Sequence, residues 1–144
     1  MIRCLILDTN VLFSFFGKTS TRELIYELYE MGVNMYTPRF ARDELEKLRD
    51  IIKKKAKIND SEFELIITHM FSMITEVPLI IYADKVEEAK KISPDPDDVD
   101  FVALALKYNC KIWTLDKALL SEDRIPTIAT GDILSMLQEA QGNA

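Results

Sequence analysis

The sequence predicts one α/β domain in which a parallel sheet is covered by helices on both faces. Three observations carry this. Short apolar runs alternate with stretches of helical periodicity along the chain. The runs, Ile2–Leu7 foremost, are apolar at successive positions rather than at every second one, the pattern of strands buried on both sides. And 144 residues, 48% hydrophobic and 29% charged, suffice for one ordinary core without a disulfide or metal scaffold.

Each element has a local reason. Ile2–Leu7 is an apolar strand stopped by Asp8. Thr9–Phe16 is a short helix. Thr19–Met31 places Leu24, Ile25, Leu28 and Met31 at helical spacing, and Gly32 closes it. Val33–Tyr36 is a short strand. Pro38 opens a helix that runs to about Lys55. Asp60–Ile74 is another helix, capped by Asp60 or Ser61. Val77–Ile81 is a strand, or an extended segment, carrying Pro78 near its start. Ala83–Ile92 is a helix, and Pro96 opens a helix over Asp97–Tyr108. Lys111–Thr114 and the very short Thr127–Ile128 are strands, and Gly131–Gln138 is the last helix. With no repeat, linker or low-complexity segment, residues 1–144 form a single domain. In open parallel sheets the ligand site lies beyond the carboxyl ends of the strands.

Composition narrows the chemistry. No apolar run approaches the roughly 20 residues of a membrane span. The apolar part of the first residues is short and meets Asp8 at once, unlike a secretion signal. Cys4 and Cys110 read as small core residues of a reduced protein, so a cytoplasmic location is expected. Gly17, Gly32, Gly131 and Gly142 form no phosphate loop and no dinucleotide turn. The lone His69 sits among apolar helix residues and reads as a packed side chain, which leaves no Ser/His/Asp or Cys/His catalytic set.

Carboxylates remain, and their placement is informative. Asp8 follows the first strand and Asp116 follows the strand ending in Thr114-Leu115, each also in a position to cap a helix. With Phe40 at 0° and about 100° per residue, Glu44 falls near 40°, inside the stripe of Phe40, Ala41, Leu45, Leu48, Ile51 and Ile52. A carboxylate on an inward face needs an ion pair or a cation. Residues 95–100 hold four acids in six positions. Asp95 as cap and Pro96 in the first turn account for part of this. Asp98 heads the apolar face of Val102, Ala105 and Leu106, while Asp100 falls on the solvent side with Lys107; Asp97 is the weaker ligand candidate. Asp8, Glu44, Asp98 and Asp116 would repel one another without a cation. Hard oxygen ligands and no His/Cys set suit Mg²⁺ or Mn²⁺. Such an ion activates water and stabilises a phosphoryl transition state.

Leu7-Asp8-Thr9-Asn10-Val11-Leu12, Glu44-Leu45, Asp98-Val99-Asp100-Phe101-Val102-Ala103-Leu104-Ala105 and Trp113-Thr114-Leu115-Asp116, in that order, resemble the PIN-domain family across residues 2–120. The resemblance implies an α/β/α sandwich, usually dimeric, with metal-dependent ribonuclease activity. It places a metal-binding acidic quartet at Asp8, Glu44, Asp98 and Asp116, with Asn10 and Thr114 as polar supports beside it. Many small prokaryotic members are VapC-type toxins silenced by an antitoxin protein, and others process RNA. A receiver-like signalling module is the rival architecture, but it requires an acidic pair after the first strand, where only Asp8 stands. A noncatalytic module whose acids merely cap helices is the second rival.

Net charge is −6, and residues 73–144 carry the whole deficit, with 7 basic and 13 acidic groups against 11 and 11 in residues 1–72. Residues 39–57 run the other way, with eight Lys/Arg against four acids. Arg39, Arg42, Lys53, Lys54 and Lys55, extended by Lys18 and Arg22, are the candidate contacts to RNA phosphates. They are otherwise a solvated helix face. A homodimer, expected from the resemblance, would use apolar residues such as Phe63, Ile67 and Phe71.

Overall fold

A computed structural model describes residues 2–17 and 19–142. The strands are β1 (Cys4–Leu7), β2 (Asn34–Pro38), β3 (Ile74–Val77), β4 (Lys111–Trp113) and β5 (Thr127–Ile128). All pair in parallel, in the order β3-β2-β1-β4-β5. The helices are α1 (Thr9–Gly17), α2 (Thr19–Glu30), α3 (Arg39–Lys47), α4 (Arg49–Ala56), α5 (Asp60–Met73), α6 (Leu79–Tyr82), α7 (Val86–Ile92), α8 (Val99–Tyr108), α9 (Lys117–Leu120) and α10 (Thr130–Gly142). Leu5, Ile6 and Leu7 of β1 are all buried. Successive strand side chains point to opposite faces, so the sheet is covered on both, as the apolar runs require. The buried run Phe101–Ala105 of α8 lies against β1, β2 and β4.

The strand order locates the site. From β1 the chain builds β2 and β3 on one side, then returns past β1 to add β4 and β5 on the other. The direction reverses between β1 and β4, the switch point at whose carboxyl ends sheets of this kind place a ligand crevice. Asp8 and Asp116 leave the sheet there.

Several elements differ from the sequence expectation. The helix expected from Pro38 to Lys55 is two helices, because Leu48 leaves helical geometry at φ −92°, ψ 7°. The break resets the stripe: Ile52 is buried while Ile51 is exposed. The third strand is Ile74–Val77 rather than Val77–Ile81. Pro78 has no N–H to continue a ladder, and instead it precedes α6. Asn59, not Asp60 or Ser61, caps α5: its side chain accepts from Glu62 N–H, and the Glu62 carboxylate accepts from Asn59 N–H. The segment before α8 begins as a 3₁₀ turn over Pro96–Asp98, and that before α7 as a 3₁₀ turn over Ala83–Lys85.

Cys4 and Cys110 are not free thiols. They form a disulfide, with Cα atoms 5.5 Å apart. Leu5 pairs with Lys111, so the residue before each falls side by side on neighbouring strands. Cysteine usage therefore ceases to argue for a reducing compartment. The expected dimer residues are corrected as well. Phe63 and Ile67 are wholly buried, and Phe71 is half-buried beneath the Arg42 guanidinium, 4.9 Å from its ring centre. Those α5 residues face the core, where Phe63 stacks on Phe16. Among the described residues no helix is long and apolar enough to cross a membrane.

Candidate metal centre

Asp8 ends β1 and precedes α1. Its backbone N–H continues the ladder by donating to Trp113 O at 3.0 Å. Its carboxylate accepts three hydrogen bonds: from Thr9 N–H at 2.8 Å, the Thr114 hydroxyl at 2.7 Å and Asn10 Nδ2 at 3.3 Å. The Asn10 side-chain oxygen in turn accepts from Leu115 N–H at 3.2 Å, and Asp116 N–H donates to the Thr114 hydroxyl at 3.0 Å. Asn10 and Thr114 thus tie the ends of β1 and β4 together. Asp116 caps α9 by accepting from Ala118 N–H at 2.9 Å. For Asp116 the capping expectation holds alongside its place at the crevice.

Asp98 caps nothing. Asp95 takes that task, accepting from Asp97 N–H at 2.8 Å. Asp98 is only 9% exposed, and its carboxyl is pushed up to about 6 by burial and then by Asp8, Asp116, Asp95 and Asp97. Asp8 is raised by burial and further by Asp116, against the bonds from Thr114 and Thr9. Glu44 lies half-buried on α3, where the Thr9 hydroxyl donates to it at 2.6 Å. Burial raises it too, with Asp8 and Asp97 adding to the effect. The ion-pair alternative for Glu44 is absent: among the described residues none of Asp8, Glu44, Asp98 and Asp116 makes a salt bridge.

All four expected carboxylates thus act on one neighbourhood, through bonds or through charge. Their oxygens do not meet at ligating spacing, however. Among the described residues no group of three or more His, Cys, Asp or Glu side chains is placed to hold a metal ion. Uncompensated carboxylates keep apart: neutral donors hold Asp8, Glu44 and Asp116, and the donor chemistry of the set fits a hard divalent cation whose charge would relieve the repulsion.

Two residues with a part in this geometry were missed or undervalued from sequence. Thr9 orients Glu44, and its hydroxyl directly after the strand-end Asp was the available signal. Asp97 acts on both Glu44 and Asp98. Asp100 is corrected: it is half-buried and accepts the Tyr82 hydroxyl, while Lys107 pairs with Asp84 instead.

A family profile described as PIN domain matches residues 6–131. The chain belongs to the PIN-domain family. PIN domains are nucleases that generally use divalent metals. Among curated proteins none matches this PIN domain in sequence. Among solved structures it is similar to a chain of VapBC2 from Rickettsia felis, determined bound to a DNA fragment from the VapBC2 promoter. The two share 14% identity at a TM-score of 0.65, over 88% of this chain and 98% of the other. That likeness agrees with the parallel α/β fold of a PIN domain.

The basic residues divide. Arg42 pairs with Glu76 at 2.8 Å, and Lys53 with Asp60 at 2.7 Å. Arg39, Lys54 and Lys55 make no salt bridge among the described residues and are exposed. Arg22 is half-buried, and Lys18 lies outside the described residues.

Proposed function

We propose that this PIN domain is a Mg²⁺- or Mn²⁺-dependent endoribonuclease, with Asp8, Glu44, Asp98 and Asp116 holding the cation directly or through water. The observation that carries the reading is a set of acids at the β1/β4 crevice that lacks any cationic side-chain partner among the described residues. Bound there, the ion would activate water and offset charge on the phosphoryl transition state. The chain's own residues do the positioning. Thr114 and Asn10 fix the Asp8 carboxylate, Thr9 fixes Glu44, and Asp95 takes the cap and leaves Asp98 free for the crevice. Arg39, Lys54 and Lys55 are the cations available to RNA phosphates; Arg42 and Lys53 join them only by leaving their acid partners.

The toxin of a toxin–antitoxin pair is the cellular role this reading favours, supported by the PIN family and by the likeness to a VapBC2 chain. It carries with it an antitoxin partner, a homodimer without Phe63 and Ile67 in its interface, and a cytoplasmic location. A PIN nuclease that processes RNA shares the same site. The family match speaks against a receiver-like module.

The deciding experiment incubates the purified protein with labelled single-stranded RNA in Mg²⁺, in Mn²⁺ and in chelator. Internal cleavage with either metal, lost in chelator and in Asp98→Asn, supports the reading. RNA left intact by folded wild-type protein in both metals, with no thermal shift from either, refutes it.

A further inference from the structure

A groove of about 300 Å³ runs between α1 and α4, lined among others by Phe13, Ser14, Ile52 and Lys55. The Lys55 ammonium stands over the Phe13 ring, 5.6 Å from its centre. We propose that this groove is a nucleobase subsite of the nuclease, in which one base of single-stranded RNA takes the place of the Lys55 ammonium over the Phe13 ring and Lys55 moves to a neighbouring phosphate. The proposal rests on the ribonuclease reading and adds to it the residue that holds the substrate's base.

Three observations converge on that occupant. The first is position. Phe13 follows Asn10 by three residues and Thr9 by four, so it shares their side of α1, about one turn or 5.4 Å along the axis. Asn10 holds Asp8 and Thr9 holds Glu44, so the groove, lined on α1 from Phe13 to Gly17, begins about one helical turn beyond the residues that hold these acids. The second is chemical pairing. A nucleotide couples a planar apolar face to an anion, and the groove couples an aromatic ring to a cation. The third is availability. Lys53 and Arg49, on the same helix, are bound to Asp60 and other acids, whereas Lys55 has no acid within salt-bridge distance among the described residues. The Ser14 hydroxyl is engaged with Asn10 O at 3.1 Å, so the lining offers little base-specific hydrogen bonding. The subsite therefore tolerates any base and sets register rather than sequence.

The test measures anisotropy of a labelled single-stranded RNA on the full-length protein in chelator, where the metal-dependent cleavage is off. Phe13→Leu keeps apolar volume and removes the aromatic face. It should weaken binding by about five- to a hundredfold, the range for loss of one stacked base, with an unchanged salt slope. Phe13→Trp should restore wild-type binding. Lys55→Ala should lower the salt slope by about 0.7, one phosphate contact on a single strand. RNA carrying 4-thiouridine should crosslink to the α1 peptide containing Phe13. Equal affinity for wild type and Phe13→Leu, with crosslinks elsewhere, overturns the subsite while metal-dependent cleavage leaves the ribonuclease reading standing. Absence of both RNA binding and RNA cleavage by wild type overturns that reading and the subsite with it.

Discussion

Replacing Asp98 by Asn separates a strained ligand from a helix cap. Asp98 is nearly buried, and its carboxyl is pushed from 3.8 to about 6 by burial and by four neighbouring acids. Two pH units correspond to about 3 kcal/mol at most. Solvent at the mouth of the crevice screens part of this, leaving about 1–2 kcal/mol of destabilisation of the metal-free fold. The sign follows from the direction of the shift. A carboxyl raised in the folded state opposes folding when ionised. That penalty is complete above about pH 6 and is relieved as the pH falls through 6 towards 3.8. Asp98→Asn removes the charge and keeps the shape. In chelator at pH 7.5 the variant should melt higher than wild type, by roughly 3–8 °C. At pH 4 the difference should close. With excess Mn²⁺ the order should reverse in effect: wild type gains stability by mass action and the variant gains less. RNA cleavage should fall by orders of magnitude. Calorimetry at the two pH values, with and without metal, measures all but the last. Exposed Asp43 on α3 is the matched control, and Asp43→Asn should be silent. A metal-free Asp98→Asn protein that melts lower than wild type at pH 7.5, or by the same margin at both pH values, would refute charge strain at Asp98.

Other outcomes follow from particular contacts. Thr9→Val removes the donor to Glu44 and should cost about 1 kcal/mol, with slower cleavage at saturating metal; urea melts and turnover measurements check it. The Cys4–Cys110 disulfide joins positions 106 residues apart, so its loss in Cys110→Ser should cost up to about 4–5 kcal/mol in the loop-entropy account. Thiol titration of protein purified without reductant should find no free cysteine, and reductant should lower the melting temperature. Arg39→Ala and Lys54→Ala should each reduce the salt slope of RNA binding by about 0.7, whereas Arg42→Ala, whose side chain is held by Glu76, should leave the slope nearly unchanged.

The general fold was legible because its causes are local. β1 is apolar at successive positions, and only a sheet buried on both faces makes that favourable. Helical spacing at Leu24, Ile25 and Leu28 marked α2, and all three are buried. Asp8 and Asp116 were found because strand ends are visible as the place where an apolar run stops. Glu44 was found because a charge inside an apolar stripe stands out on a helical wheel.

What escaped the sequence depends on partners distant along the chain. The strand order sets Cys4 beside Cys110, and no spacing rule anticipates a pair 106 residues apart. Asp100 was assigned to solvent by wheel angle alone, yet α6 brings Tyr82 onto it. Phe63 and Ile67 looked available for a partner subunit, but the packing of α5 against Phe16 and its neighbours takes them into the core. The basic run was visible as charge, but which cations are free was decided by Glu76, Asp60 and Glu64 approaching from other elements. Periodicity and chain punctuation are one-dimensional, so the sequence alone determined most of the elements and the acids at the ends of β1 and β4. Ion pairing, burial and the placing of Lys55 over Phe13 depend on distances through space, and those exist only once the sheet has set its strand order.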